Sequence, residues 1–493
     1  MNRAAPFPRT AATLAVSLAL FASACAVPLA PGYRILKESQ SVKFVPGSAP
    51  ELQIRTDYTL ENTGNSELTF VDVALPDEKL FGRTNLRAEV DGRETALANL
   101  PAEYQEEQPN ALRIPVDPPW KQKQTRQVEI EYTFSAPADG GNQITLGGED
   151  FHLGSRGWFP LLQAPKHFLA PYPKRPISTA YTVRVPANFL VLARGKPAGR
   201  KTDGSEIEYS FDLGKRDLTP YIVAGRYVEF FVGSKSVPFW THGSLHAQSD
   251  LQQADTQIAA AWHLLQEAFG TLGPNVRKPH IVESPELQGT FAGEVGPTVA
   301  SFPGGVLVNP ALLAQGIDNG DSLQRITLAL AGSWFDEEMY PAPGAAVVMG
   351  EGLPEYATIA IEEARNGEPG RRQRILYYLE EYDQAKKAAA EKPLGAAMAS
   401  DSGDERRMAL AKAALFFAAL EDACGQAQMR GGLKQLVALF SGEEAGYEDL
   451  RAELELSSGK DLAEMFRVWL NQKGIPEEFR ARYQTQTVGH AGN

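Results

Sequence analysis

The stretch from Asp321 to Gly367, DSLQRITLALAGSWFDEEMYPAPGAAVVMGEGLPEYATIAIEEARNG, decides how the rest of the chain is read. Its first part sets Leu323, Ile326, Leu328, Leu330, Ala331, Trp334 and Phe335 at helical spacing around much of a circumference, with Asp321 or Ser322 placed to cap the start. A helix apolar on so many sides belongs in the core of a large domain. A second helix is predicted from Gly350-Glu351-Gly352-Leu353-Pro354, where a first turn tolerates proline, to Asn366-Gly367, a left-handed stop. A Pro/Gly-rich loop joins the two.

The landmarks on this pair resemble the active-site helices of the gluzincin zinc aminopeptidases, the family of aminopeptidase N and leukotriene hydrolase. That family carries H-E-x-x-H-Q-W-F-G and, at a fixed interval, the glutamate of L-N-E-G-F-x-E-Y. Here Trp334-Phe335 match the W-F, and Glu351-Gly352-Leu353-Pro354-Glu355-Tyr356 match E-G-x-x-E-Y. In this register the metal histidines fall on Leu328 and Gly332, and 351 − 332 = 19 reproduces the family interval to the third zinc ligand, at Glu351. A helix presents i and i+4 on one face, which is why two histidines so spaced can share a metal while the glutamate between them activates its water. Leu328, Ala329 and Gly332 offer neither a lone pair nor a base. One carboxylate alone does not make a catalytic zinc site, which normally takes three protein ligands and a water.

Elsewhere the resemblance continues and the chemistry again departs from it. Phe291-Ala292-Gly293-Glu294-Val295-Gly296 stands where the family has G-A-M-E-N, since 328 − 294 = 34. Glu294 then matches the glutamate that holds a peptide's free amine; a plain glycine-rich turn between strands is the other reading. Met408 to Leu415 resembles Y-x-K-G-A-x-L, with Lys412 matching and Leu410 where the oxyanion-binding tyrosine belongs. Ala346 replaces a supporting aspartate. Gly157-Trp158-Phe159-Pro160, Ala224-Gly225-Arg226-Tyr227 and Trp469 to Pro476 look like further family landmarks, so the resemblance covers nearly all of the chain after its leader.

The fold it implies is multidomain α+β: an N-terminal all-β saddle or sandwich followed by a mostly helical, thermolysin-like (gluzincin) domain. The residues themselves agree. Between 34 and 235, runs such as Gln53–Leu60 and Val128–Phe134 alternate with period two, separated by Asn62-Thr63-Gly64, Asp91-Gly92 and Asp139-Gly140-Gly141. From 236 the pattern changes to a strand, Val237–Thr241, then an amphipathic helix, Ser249–Phe269, and helices follow to about 476. The reading divides the chain into a signal peptide (1–24), a linker after a lipidated cysteine (25–33), the β domain (34–235), the peptidase-type domain (236–476) and a C-terminal tail (477–493). His242 and His246 stand four apart but straddle Gly243 in a loop, and are read as scaffold rather than metal ligands.

At the start, Arg3 and Arg9 precede an apolar run, Ala11–Ala22, that ends in Ala22-Ser23-Ala24-Cys25, the order of a secretory signal. Cys25 after small residues resembles a bacterial lipobox, which implies acylation there, with ordinary cleavage after Ala24 as the alternative. An exported, periplasmic or cell-envelope lipoprotein is expected, and Ala26 points to the outer membrane. The remaining cysteine, Cys424, falls in a helical pattern and reads as a small core residue. The 493 residues carry a formal charge of −13 with both signs interspersed. A phosphate backbone demands a basic face, which this acidic balance with interspersed charges does not suggest, so no nucleic-acid partner is expected.

Two functions follow. One is a catalytically inert relative of the zinc aminopeptidases, binding a peptide or protein and needing no cofactor. The alternative is an active metallopeptidase with a relocated zinc site, in which Asp336, Glu337 and Glu338 join Glu351 around a cation.

Overall fold

The computed structural model describes residues 32–484 except 77, 79–81, 102–109, 136–143, 155–157, 163–178, 215–219, 244–245, 247–250, 275, 292–293, 303, 315–316, 318–319 and 398–402; the side chains of 214, 288–297, 320–321 and 336 are also outside the description. The segment read as a signal peptide and Cys25 therefore lie outside it.

Period-two alternation becomes an eight-stranded sheet in the order Lys196–Asp203, Glu206–Gly214, Thr179–Pro186, Tyr33–Val45, Glu51–Asn62, Thr125–Ser135, Arg83–Val90 and Arg93–Thr95. Tyr33–Val45 pairs antiparallel with Glu51–Asn62, setting Val42 opposite Ile54 and Phe44 opposite Leu52, and parallel with Thr179–Pro186. Two four-stranded sheets cover its apolar face, one centred on Leu68–Ala74 and Ala111–Trp120, the other on Asp150–Leu153 and Ile222–Gly225. Leu52, Ile54, Tyr58 and Leu60 all point inward, as alternation requires. The buried segment at Trp158–Pro160 is tied in by Tyr132 Oη–H to the Trp158 carbonyl (2.6 Å) and Tyr58 Oη–H to the Pro160 carbonyl (2.7 Å).

The second domain opens with a five-stranded sheet, Val228–Phe230, Phe239–Thr241, His280–Glu283, Gly305–Val308 and Val299–Phe302, in that order. Its helices are α1 (Gln252–Phe269), α2 (Pro310–Ala314), α3 (Gly320–Gly332), α4 (Leu353–Ala388), α5 (Gly403–Cys424), α6 (Gln426–Leu439), α7 (Tyr447–Ser458), α8 (Ala463–Asn471) and α9 (Glu477–Gln484). Helix α3 continues into a π-helical turn, Ser333–Glu338, and α4 is preceded by another, Ala346–Gly352. Glu351 thus sits before the regular helix rather than in its first turn. Helix α4 breaks at Gly367 (φ 64°, ψ −159°), where a stop was expected, and resumes through the charged segment after it.

Residues 477–484, expected as the start of the tail, form α9 and pack into the helical core. Phe479 and Tyr483, at i and i+4, supply the apolar face; Phe479 meets the Trp469 ring edge-on at 5.4 Å, and Arg480 grips Asp383 through two hydrogen bonds of 2.7 and 2.9 Å. Among the described residues no helix is long and apolar enough to cross a membrane.

Candidate functional site

Helices α3 and α4 run antiparallel. Gln324 Nε2–H on α3 donates to Glu362 on α4 at 3.2 Å, while at the opposite end a Cβ added at Gly350 would lie 3.2 Å from Pro341 and 3.9 Å from the Phe335 carbonyl oxygen. The segment that follows α3 and the segment that precedes α4 are thus near each other. Trp334 and Phe335 are both buried: the indole N–H donates to the Gly270 carbonyl at 2.9 Å, its ring packs on Trp262 at 5.0 Å, and Phe335 packs on Phe269 at 4.9 Å. A π-helical turn inserts an extra residue into the helix and turns the following side chains to new directions. Here it sends Glu337 toward the β domain, where Arg194 Nε lies 3.2 Å away, and Glu338 toward the Gly273 N–H at 2.6 Å. Those two carboxylates have structural partners on different elements, and the side chain of Asp336 is outside the described residues.

Glu351 accepts a short hydrogen bond from Arg406 Nη2 on α5, with its side chain 33% and that of Arg406 28% exposed. Close by, Glu355 is half-buried. Burial pushes its carboxyl above the usual range, against the Tyr378 hydroxyl, which donates at 2.6 Å, and the Arg374 guanidinium, which favour the charge; Glu351 adds to the rise. Arg374 also donates to Thr358 Oγ1 at 3.1 Å, and Arg407 holds Glu381 at 3.0 Å. Three acids, Glu351, Glu355 and Glu381, are thus matched by three arginines along the seam of α4 and α5.

Leu328 and Gly332 sit one turn apart on α3, and both are half-buried. Among the described residues, a Cβ added at Gly332 would meet nothing within 4 Å beyond its own helix, so this end of α3 borders open space. Leu410, also half-buried, stands on α5 one turn beyond Arg406. Lys412 points into the core instead: its ammonium donates to the Gln472 carbonyl at 2.6 Å and to Glu391 at 3.2 Å, and burial lowers its pKa. The adjoining cavity is about 20 Å³, room for little more than a water. Glu294 begins a strand, Glu294–Pro297, that forms a hairpin with Gln288–Phe291; the carboxylate itself lies outside the described residues. Cys424 is buried with a free thiol.

The two loop histidines are built into the seam between the domains. His246 Nδ1 makes a short hydrogen bond with Glu283, the His242 backbone N–H donates to the same carboxylate at 2.8 Å, and His242 Nε2 lies 3.9 Å from Asp150 of the β domain. Burial opposes the His242 charge, but Asp150 and Glu283 raise its pKa overall. Among the described residues no group of three or more histidine, cysteine, aspartate and glutamate side chains converges to hold a metal ion.

A β-rich N-terminal domain followed by a helical domain on a small sheet is the two-domain fold of the M1 metallopeptidases. No protein-family model and no curated protein sequence matches the chain. Solved structures do. An M1 zinc metallopeptidase from Deinococcus radiodurans is similar with a TM-score of 0.53 at 15% identity, over 90% of this chain and 95% of that one. A point mutant of the enzyme from the same organism, bound to a Tyr-Ser-Ala substrate, matches with a TM-score of 0.52 at 15% identity over 90% and 96%. A mutant two-domain M1 zinc metallopeptidase bound to L-arginine matches with a TM-score of 0.54 at 16% identity over 90% and 95%. At such identities the likeness establishes the fold.

In the register that the resemblance gives, the residues present do not fit the zinc that this fold implies. An aliphatic side chain at 328, a bare backbone at 332 and a carboxylate already bonded to a guanidinium do not form a zinc donor set. Arg406, Arg374 and Tyr378 went unnoticed in the sequence. The signal that could have found Arg406 is the question of what neutralises Glu351 once the histidines are missing.

Proposed function

We propose that this chain is a catalytically inert relative of the zinc aminopeptidases, exported and anchored through a lipid at Cys25, that binds a peptide or protein partner. One observation carries the reading: the turn of α3 that would supply two metal ligands and a general base supplies Leu328, Gly332 and Ala329, while Glu351 is engaged by Arg406. Without the base and the metal-bound water no nucleophile is generated, and with leucine at 410 no hydroxyl meets a developing oxyanion there. What the fold retains is a housing with open space beside Gly332. Glu294, on a hairpin edge, is the residue proposed to meet a peptide's amine.

The relocated-site alternative loses support because Glu337 is ion-paired with Arg194 and Glu338 accepts from the Gly273 N–H. The test is direct. Protein purified without chelator should carry no stoichiometric zinc and should leave a panel of aminoacyl fluorogenic substrates uncleaved. Zinc at one per chain with chelator-sensitive turnover would reject the proposal. For anchoring, Cys25→Ala should move the chain from the membrane fraction to the soluble one; a distribution unchanged from that of the unsubstituted protein counts against the lipid.

A further inference from the structure

The acids along α4 need cations. Glu351 is only one-third exposed and disfavours the charge of the half-buried Glu355, so an uncompensated carboxylate here is costly. A divalent ion could meet the need only with further lone pairs, and Leu328, Ala329 and Gly332, the α3 positions the resemblance assigns to the ligands and base, provide none. A guanidinium asks for acceptors alone, is charged at every physiological pH, and reaches on a long stem from the first turns of α5. Arg406 is placed to do this, and its Nη2 bonds the Glu351 carboxylate.

We infer that Arg406 is the built-in counter-charge of Glu351, holding with a side chain the carboxylate that a zinc ion would hold if α3 carried imidazoles. The inference rests on the registration used for the proposed function. It adds that the site has its own cation, fixed to the chain, and needs no metal to keep α4 and α5 together. Arg406 is on this account a positioning residue: it sets Glu351 and, through it, the charge balance with Glu355, Arg374, Glu381 and Arg407. It also makes the site resistant to metal capture, because an incoming ion must displace a bonded guanidinium before it meets the carboxylate.

Two experiments on the full chain decide it. In a double-mutant cycle followed by urea unfolding near neutral pH, Arg406→Met and Glu351→Gln are each expected to destabilise, and the double variant to cost less than their sum. The coupling should correspond to at least about a threefold change in the folding equilibrium constant. Simple additivity overturns the inference. In the second experiment the imidazoles are supplied by Leu328→His with Gly332→His, and zinc alone is titrated with Arg406 present or replaced by Met. Zinc should bind about tenfold or more tightly when Arg406 is gone. Equal affinity in both backgrounds also overturns the inference. If neither chain binds zinc, the registration beneath the proposed function fails, and the cycle alone then decides the role of Arg406.

Discussion

His152 shows how much a single side chain can set the response to acid. It is fully buried against Phe302, both ring nitrogens lack a hydrogen-bond partner among the described residues, and burial drives its pKa from 6.5 down to about 3. A depressed value means that the folded state binds fewer protons. The contribution to stability is complete above the unfolded value of 6.5 and is lost as pH falls from there toward about 3. His152→Leu removes this liability. The variant should gain about 2 kcal/mol relative to wild type on going from about pH 7.5 to about pH 5, read from urea midpoints at the two pH values. Parallel pH curves would show that the imidazole is not sealed from water. His280, depressed to about 4 by burial, acts in the same sense, whereas His242, raised by Asp150 and Glu283, acts in the other: its share is present below 6.5 and fades as pH rises.

At the scale of elements, two glycines of the α4 region do different work. Gly352 has ordinary helical dihedrals (φ −68°, ψ −33°), so its backbone would accept any residue. Its use is space: an added Cβ would lie 2.5 Å from the Ala413 Cβ, and the missing side chain lets the turn carrying Glu351 press against α5, where Arg406 originates. Gly352→Ala should cost about 1–3 kcal/mol by overpacking, measured by chemical denaturation. It should also weaken the coupling between residues 351 and 406 in the same cycle. Gly367 is needed for its backbone instead, since φ 64° with ψ −159° is a region essentially closed to residues with a Cβ. Gly367→Ala should cost about 1–2 kcal/mol with no effect on that coupling. If both variants behaved alike, the separation of packing from backbone strain would be wrong.

On the scale of the molecule, the joint between the domains is a mixed seam. Leu192, Tyr221 and Val223 from the β domain form one buried cluster with Trp240, Val282, Phe302 and Leu307 from the second. Gly304 (φ 103°) has no room for a side chain because the Tyr221 hydroxyl would lie 2.1 Å from its Cβ. Beside this cluster, Arg194 (4% exposed) meets Glu337 (19%) across the seam. Removing one partner of so enclosed a pair leaves the other charge stranded, so Arg194→Ala should cost about 3 kcal/mol. It should also uncouple the domains, visible as two unfolding steps in calorimetry where wild type is expected to show one. A single step with unchanged midpoint would mean that the apolar cluster alone carries the joint.

What the sequence alone determined was local or periodic. Alternation at period two announced the β domain, 3.6-residue spacing announced the helices, and the interval from Trp334 to Glu351 set the hairpin whose closure Gln324–Glu362 and Gly350–Phe335 now display. That Leu328 and Gly332 offer no donors needed no coordinates, because the chemistry of a side chain travels with its letter. Tertiary structure decided the partners. Arg406 lies 55 residues from Glu351, Arg194 is remote from Glu337, and α9 turns back onto α8 and α4, none of which has a repeat or spacing to reveal it. A charge finds its counter-charge through the packing of helices and sheets that bring distant residues together, and burial, which sets the cost of leaving it alone, exists only once they have packed.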